Sequence, residues 1–222
     1  MTSSKPWLVA STAVAGVVFV TMWLGWAMQW HWLATIDAAT LAPPYRYGVN
    51  HPGWVTAWNV FCTVFGPLTF RLVAAAFIVF SLIRRQWRMA VFLLLSVELA
   101  GLLIVAVKAA TDRPRPATAL VAAAASSFPS GHALGVMVGV LALAVVVLPA
   151  VHGAGRPWLI AAGAFLVVAV GLGRVVLNVH HLSDVVAGWT LGYVYFMACW
   201  LVFTRGRVTE AAEIPVTPGT ST

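Results

Sequence analysis

Long apolar stretches, broken by short polar ones, set the plan of this chain. Residues 7–28 form an apolar run of about twenty residues, enough to cross a hydrocarbon core of roughly 30 Å. Lys5 precedes it, as in a secretory signal, but the run is long for such a signal and no small-x-small cleavage site follows promptly; it reads as a retained helix. Residues 29–52 are mixed, with Trp30, Trp32, Asp37, Pro43, Pro44, Tyr45, Arg46 and Tyr47, and read as an interfacial loop with one short helix lying on the membrane. Residues 53–83 are too long for one straight span. Gly66-Pro67 divides them, leaving 54–65 at the interface and 67–83 to descend. After a basic turn at Arg84, Arg85 and Arg88, spans are expected over 89–108, 131–148, 158–176 and 184–203. A loop at 111–130 and short turns at 149–157 and 177–183 join them. The polar segment 205–222 is expected to be a disordered tail.

The pattern predicts an all-α, polytopic membrane protein: a single membrane domain, 1–222, with six transmembrane helices. Composition agrees, for 61% of the 222 residues are hydrophobic and only 9% charged, against about a quarter charged in soluble domains. So little polar surface leaves the bilayer as the solvent, and eleven Trp supply interfacial anchors. Cys62 and Cys199 sit inside apolar runs and read as buried filler rather than a disulfide or metal pair. The net charge of +7 forms no block, which argues against a nucleic-acid partner. Lys5, the 84–88 turn, Arg156, Arg205 and Arg207 fall on one side, which the positive-inside rule makes cytoplasmic, with both termini. The expected location is the cell membrane. Arg46, Lys108, Arg113, Arg115 and Arg174 fall on the outer side, where topology gives no reason for them; His31, His51 and His152 read as ordinary interfacial histidines.

Two charges lie within predicted helices, where ionisable groups are rare and usually paired. Arg71 is about 13 residues from the turn at Arg84 and Glu98 about 10 from Arg88, so at 1.5 Å per residue their depths differ by only about 4 to 5 Å. They are expected to pair between the second and third spans.

Helix parity brings four helix ends to the outer face: Lys108 ends the third span, His132 begins the fourth, Arg174 ends the fifth and Asp184 begins the sixth. Lys108, Arg115 and Arg174 supply cations. Ser130 reads as an N-cap, leaving the first-turn N–H groups and the positive end of the dipole pointing outward, and Gly131 lets an anion approach the backbone. Beside this phosphate-type cradle lie His132 and His180, with Asp184 four residues after His180, where a carboxylate can orient an imidazole. Such a set suggests phosphoryl transfer through a histidine nucleophile.

The order K-x6-RP (Lys108, Arg115, Pro116), PSGH (Pro129, Ser130, Gly131, His132) and R-x5-H-x3-D (Arg174, His180, Asp184) resembles the three signature motifs of the type 2 phosphatidic acid phosphatase (PAP2) superfamily. With the six-helix frame, the resemblance covers roughly residues 50–205 and implies a PAP2/haloperoxidase-like helical bundle. One departure is Gly173, where the family commonly has Ser, which removes a possible hydroxyl contact to phosphate. The resemblance implies that His180 attacks phosphorus, that Asp184 holds its tautomer, and that His132 protonates the leaving oxygen and then activates water. It assigns Lys108, Arg115, Ser130, Gly131 and Arg174 to the phosphate. It implies no metal or other cofactor, the cations taking that role. Arg113 is open between substrate contact and a pair with Asp112, and His181 is expected to be structural or a substrate-loop contact.

The substrate expected is a phosphate monoester or pyrophosphate on a lipid anchor: a polyprenyl pyrophosphate, phosphatidic acid or phosphatidylglycerol phosphate. Rivals are a phosphotransferase with a lipid or glycan acceptor, a catalytically inactive lipid-binding or transport protein, a metal site at His180, His181 and Asp184, and a vanadate-dependent haloperoxidase. Those haloperoxidases are soluble, which this hydropathy opposes. Oligomeric state is left open.

Overall fold

The structure, a computed structural model, describes residues 6–212. Its regular structure over the described residues is all helical: α1 (Pro6–Ala27), α2 (His31–Gly48), α3 (Pro52–Val64), α4 (Pro67–Ile83), α5 (Trp87–Leu93), α6 (Ala100–Thr111), α7 (Gly131–Val147), α8 (Gly155–Val176) and α9 (Leu182–Ala212). Among the described residues six stretches are long and apolar enough to cross a membrane, α3 with α4 and α5 with α6 each counting as one. The break between α3 and α4 falls at Gly66, with Pro67 opening α4 as expected.

Three elements differ from the sequence expectation. The mixed segment forms α2, an 18-residue helix that runs through Pro43 and Pro44. What holds it is a buried stripe of Leu33, Asp37 and Leu41 at four-residue spacing, whose packing outweighs two missing ladder donors. The third span is not one continuous α-helix. Leu94–Glu98 forms a π-helical turn in which the Leu99 N–H reaches the Leu94 carbonyl at 3.1 Å, and the Tyr195 hydroxyl donates to the carbonyl of Leu95. The last helix continues to Ala212, past the expected start of the polar tail at 205; the rest of that tail, 213–222, and Lys5 lie outside the described residues.

Helix α7 is the central strut. Leu134, Val136, Val138 and Ala142 are fully buried on it, and α4, α8 and α9 pack around it. Its approach to α9 is very close: a Cβ on Gly188 would lie 2.6 Å from the Ser130 carbonyl, and one on Gly192 2.9 Å from the Leu134 carbonyl. Small residues at such crossings replace the hydrophobic driving force that lipid does not supply. The contact places the first turns of α7 and α9 side by side, and the Ser130 N–H donates to the Asp184 carbonyl at 2.9 Å.

Arg71 on α4 donates through Nε to Glu98 Oε2 at 3.0 Å, so the two intrahelical charges meet as expected. Arg71 is half exposed on the side of the bundle, where lipid rather than water would surround it. Replacing Glu98 by Gln leaves Arg71 uncompensated and should lower the melting temperature in lipid nanodiscs by a few degrees. The double variant Glu98→Gln with Arg71→Gln should regain part of the loss. Equal melting of wild type and Glu98→Gln would mean that the pair contributes nothing to stability.

Candidate active site

Four helix ends build the site, the C-terminal ends of α6 and α8 and the N-terminal ends of α7 and α9. Asp112 takes the left-handed conformation (φ 42°) and stops α6 just after Lys108. Ser130 caps α7, its Oγ accepting from the Ala133 N–H at 3.4 Å. Asn178 (φ 54°) reverses the chain after α8, and the Arg174 carbonyl accepts both the Val179 and His180 N–H groups, at 3.2 and 3.3 Å. The loop 112–130 is pinned at several points. Ser127 N–H donates to the Arg113 carbonyl at 2.7 Å, Leu120 N–H to that of Leu177 at 3.0 Å, and Thr118 Oγ1 to Asn178 Oδ1 at 2.7 Å.

These ends enclose a cleft of about 310 Å³ lined by Lys108, Arg115, Ala122, Ala123, Ala124, Gly131, His132, Arg174 and His180. Residues up to 72 positions apart in sequence, three of them cations, thus share one wall. Among the described residues no carboxylate lies within ion-pair distance of Lys108, Arg115 or Arg174. Arg174 is buried and its Nε has no hydrogen-bond partner there. Arg115 is braced by backbone: Nη1 donates to the Val179 carbonyl (2.7 Å), Nη2 to Ala124 (2.7 Å) and Nε to Ala125 (3.0 Å). Lys108 Nζ donates to the Ser126 carbonyl. The first-turn N–H groups of Gly131 and His132 have no acceptor within their own helix and add to the positive wall.

Arg115 Nη1 lies 3.2 Å from His180 Nε2. A guanidinium only donates, so Nε2 is the acceptor and the ring proton sits on Nδ1. Nδ1 faces Asp184 Oδ2 at 3.6 Å, longer than a hydrogen bond, and has no other partner. The shorter contacts to that oxygen come from His181, whose N–H donates at 2.8 Å and whose Nδ1 lies at 3.2 Å. His181 is therefore a holder of Asp184. Burial pushes the His180 imidazole down to about 4 from its usual 6.5; Asp184 opposes this, and the nearby Arg115 and Arg174 reinforce it.

Two expected site residues are placed differently. Ser130 is completely buried and does not line the cleft, because its hydroxyl is turned back to cap α7 and its N–H is tied to Asp184. Arg113 neither reaches the cleft nor pairs with Asp112. It is buried behind Asp184, with Nη1 donating to Asp184 Oδ1 at 2.6 Å and Nη2 to Asp37 Oδ2 at 2.9 Å. Asp37 had no assigned role from the sequence. The signal for it was a single acidic side chain in 29–52, in a chain with only six. The Gly173 departure has a steric basis: a Cβ there would lie 2.5 Å from Cys62 Sγ and 3.0 Å from the Trp58 ring, so the buried Cys62 occupies that space.

The sequence model of the PAP2 superfamily matches residues 89–207, more than half of the chain and all of its cleft residues. The crystal structure described as the first transmembrane PAP2-type phosphatidylglycerolphosphate phosphatase, from Bacillus subtilis, has the same fold. It aligns with a TM-score of 0.72 and 22% identity, over 92% of this chain and 99% of that one. No curated protein sequence matches significantly.

The depressed His180 value gives a stability test. Below pH 6.5 the unfolded chain takes up a proton on this histidine that the folded protein refuses until about pH 4. Its contribution to stability is therefore complete above about 6.5 and is lost as pH falls towards 4. Melting midpoints measured across that window should fall less steeply for His180→Asn than for wild type. Parallel curves would show that His180 titrates alike in both states.

Proposed function

The chain belongs to the PAP2 superfamily, and from that membership we propose that it is an integral membrane lipid phosphatase. The observation that carries this reading is the imidazole of His180: neutral, with its Nε2 lone pair at the wall of a cleft that holds three cations unpaired by any carboxylate among the described residues. A phosphate dianion supplies the missing negative charge. Lys108, Arg115 and Arg174 and the N–H groups of Gly131 and His132 take its non-bridging oxygens.

The Arg115 guanidinium exchanges its contact with His180 Nε2 for the phosphate, and the freed Nε2 lone pair attacks phosphorus in line with the lipid oxygen. The P–N bond forms, the P–O bond to the lipid breaks, and His132, holding an extra proton beside the bound phosphate dianion, gives that proton to the leaving oxygen and becomes neutral. The Nδ1 proton remains on the ring, which is now cationic and faces Asp184. In the second half His132 takes a proton from water, whose oxygen attacks phosphorus. The P–N bond breaks, inorganic phosphate leaves and His180 is neutral again. Ser130 serves by shaping the turn that presents Gly131 and His132. The cations do the work that a metal does in other phosphatases.

The substrate class is a phosphate monoester or pyrophosphate on a lipid anchor. Polyprenyl pyrophosphate, phosphatidic acid and phosphatidylglycerol phosphate all fit, and the last is named for the Bacillus subtilis protein of like fold. The small side chains of Ala122, Ala123 and Ala124 leave the cleft mouth open to a bulky headgroup. The basic residues flanking the spans support an extracytoplasmic cleft with both termini cytoplasmic.

Phosphate release from these three lipids by the purified chain tests the activity. Wild type should release phosphate in the presence of chelator, and His180→Ala should be slower by roughly a thousandfold or more. Equal rates would end the mechanism, and loss of activity with chelator would favour a metal. A single cysteine at the exposed Ala119 should react with an impermeant reagent from outside the cell. Labelling from the cytoplasmic side alone would invert the topology.

A further inference from the structure

Behind the cleft lies a second cluster of charge, which meets the cleft wall where Asp184 faces His180. Asp37, Arg113, Ser183 and Asp184 are all buried, with Asp184 wholly so. Asp37 Oδ1 accepts the Ser183 N–H at 2.9 Å; its Oδ2 accepts the Ser183 hydroxyl at 2.6 Å and Arg113 Nη2 at 2.9 Å. Arg113 Nη1 then donates to Asp184 Oδ1 at 2.6 Å and to Ser183 Oγ at 2.8 Å. Asp37 comes from α2, outside the stretch 89–207 matched by the family.

We propose that Asp37 is a positioning residue for phosphoryl transfer: through Arg113 and Ser183 it fixes the Asp184 carboxylate and keeps negative charge behind His180. This inference rests on the reading of His180 as the nucleophile.

Charge balance is the first argument. The groups whose charge bears on His180 are Asp184, Arg115 and Arg174, with His132 and Lys108 across the cleft and His181 sharing Asp184. Asp184 is the sole carboxylate in that set, and one of its oxygens is committed to Arg113. An Arg113–Asp184 pair alone would sum to zero. Asp37 adds the second carboxylate, so the buried triad carries one net negative charge. A ring that becomes cationic on phosphorylation needs that charge, since the other fixed charges around it are positive.

Geometry is the second argument. Asp184 Oδ2 already receives two contacts from His181 and stands 3.6 Å from His180 Nδ1. A small rotation of the carboxylate decides whether His180 is held. Arg113 blocks that rotation only while its second nitrogen is anchored, and Asp37 is the anchor. Ser183, clamped by Asp37 through both N–H and hydroxyl, is the residue before Asp184 and fixes its backbone. The role of a simple dock for α2 explains less. Leu33 and Leu41 lie on the same buried face one turn to either side, and a buried ion pair is generally no more stabilising than an apolar contact.

The test uses the full-length chain in mixed micelles with phosphatidic acid, phosphatidylglycerol phosphate and farnesyl pyrophosphate as probes. Asp37→Asn should lower kcat by roughly 10- to 100-fold with KM nearly unchanged, because the phosphate cradle is untouched. Its acid limb of kcat/KM should move to lower pH by roughly one unit, since losing a negative charge makes His180 harder to protonate. Asp37→Glu, which keeps the charge, should keep the limb in place. An unmoved limb in Asp37→Asn, or a change in KM alone, would overturn the proposal. If Asp37→Asn does not fold, Arg113→Lys takes its place. A lysine keeps the charge but lacks the planar fork whose two terminal nitrogens hold Asp184 and Asp37 separately, so kcat should fall at constant KM, and wild-type kcat would overturn the proposal. If wild type releases phosphate from none of the probes, the phosphatase reading fails by itself. The network is then judged by NMR titration of the His180 ring, where a lower value in Asp37→Asn supports it and an equal value overturns it.

Discussion

A carboxylate with no access to solvent is the constraint around which this site is arranged. Asp184 is fully buried at the start of α9, and an isolated charge in that position would be prohibitively costly. Its neighbours follow from that cost. Arg113 takes one oxygen, the His181 backbone and ring take the other, and His180 stands just outside hydrogen-bond range. Asp37 in turn satisfies the face of Arg113 that Asp184 leaves open. A buried negative group thus organises two helices and two loops before any substrate is considered.

Positive charge is distributed by the opposite rule. Among the described residues Lys108 and Arg115 are held by backbone carbonyls and, for Arg115, by the His180 ring; Arg174 Nε has no partner, and no carboxylate pairs with any of the three. Carbonyl partners orient a cation without neutralising it, so its field remains available to an anion in the cleft. The separation is maintained over a short distance: Arg113 and Arg115 are two residues apart, yet one faces the buried carboxylates and the other the cleft.

Close helix packing makes the arrangement rigid. Glycines at 188 and 192 let α9 lie directly on the α7 backbone, and the two N-terminal turns are joined by the Ser130–Asp184 hydrogen bond. Gly173 lets α8 approach Cys62 and Trp58 on α3 in the same way. A cysteine that reads as filler in the sequence is therefore also the reason that a hydroxyl-bearing side chain does not fit before Arg174.

Much of the plan was legible in one dimension. Apolar run lengths specified the spans because a bilayer has a fixed thickness, and helix parity put Lys108, His132, Arg174 and Asp184 at one end of the bundle. The depth of Arg71 and Glu98 followed from helical rise alone, and their ion pair is present. These are properties of spacing, and spacing is written in the sequence. Side-chain direction is not. Whether Arg113 faces the cleft or the core, whether the Ser130 hydroxyl points to a ligand or caps its helix, and which histidine is nearer to Asp184 depend on competing partners from distant elements. The length of α2 and the role of Asp37 were hidden for the same reason. An aspartate flanked by leucines at four-residue spacing has no partner in its own segment; its partners, Arg113 and Ser183, are 76 and 146 residues away and meet it only when the bundle closes.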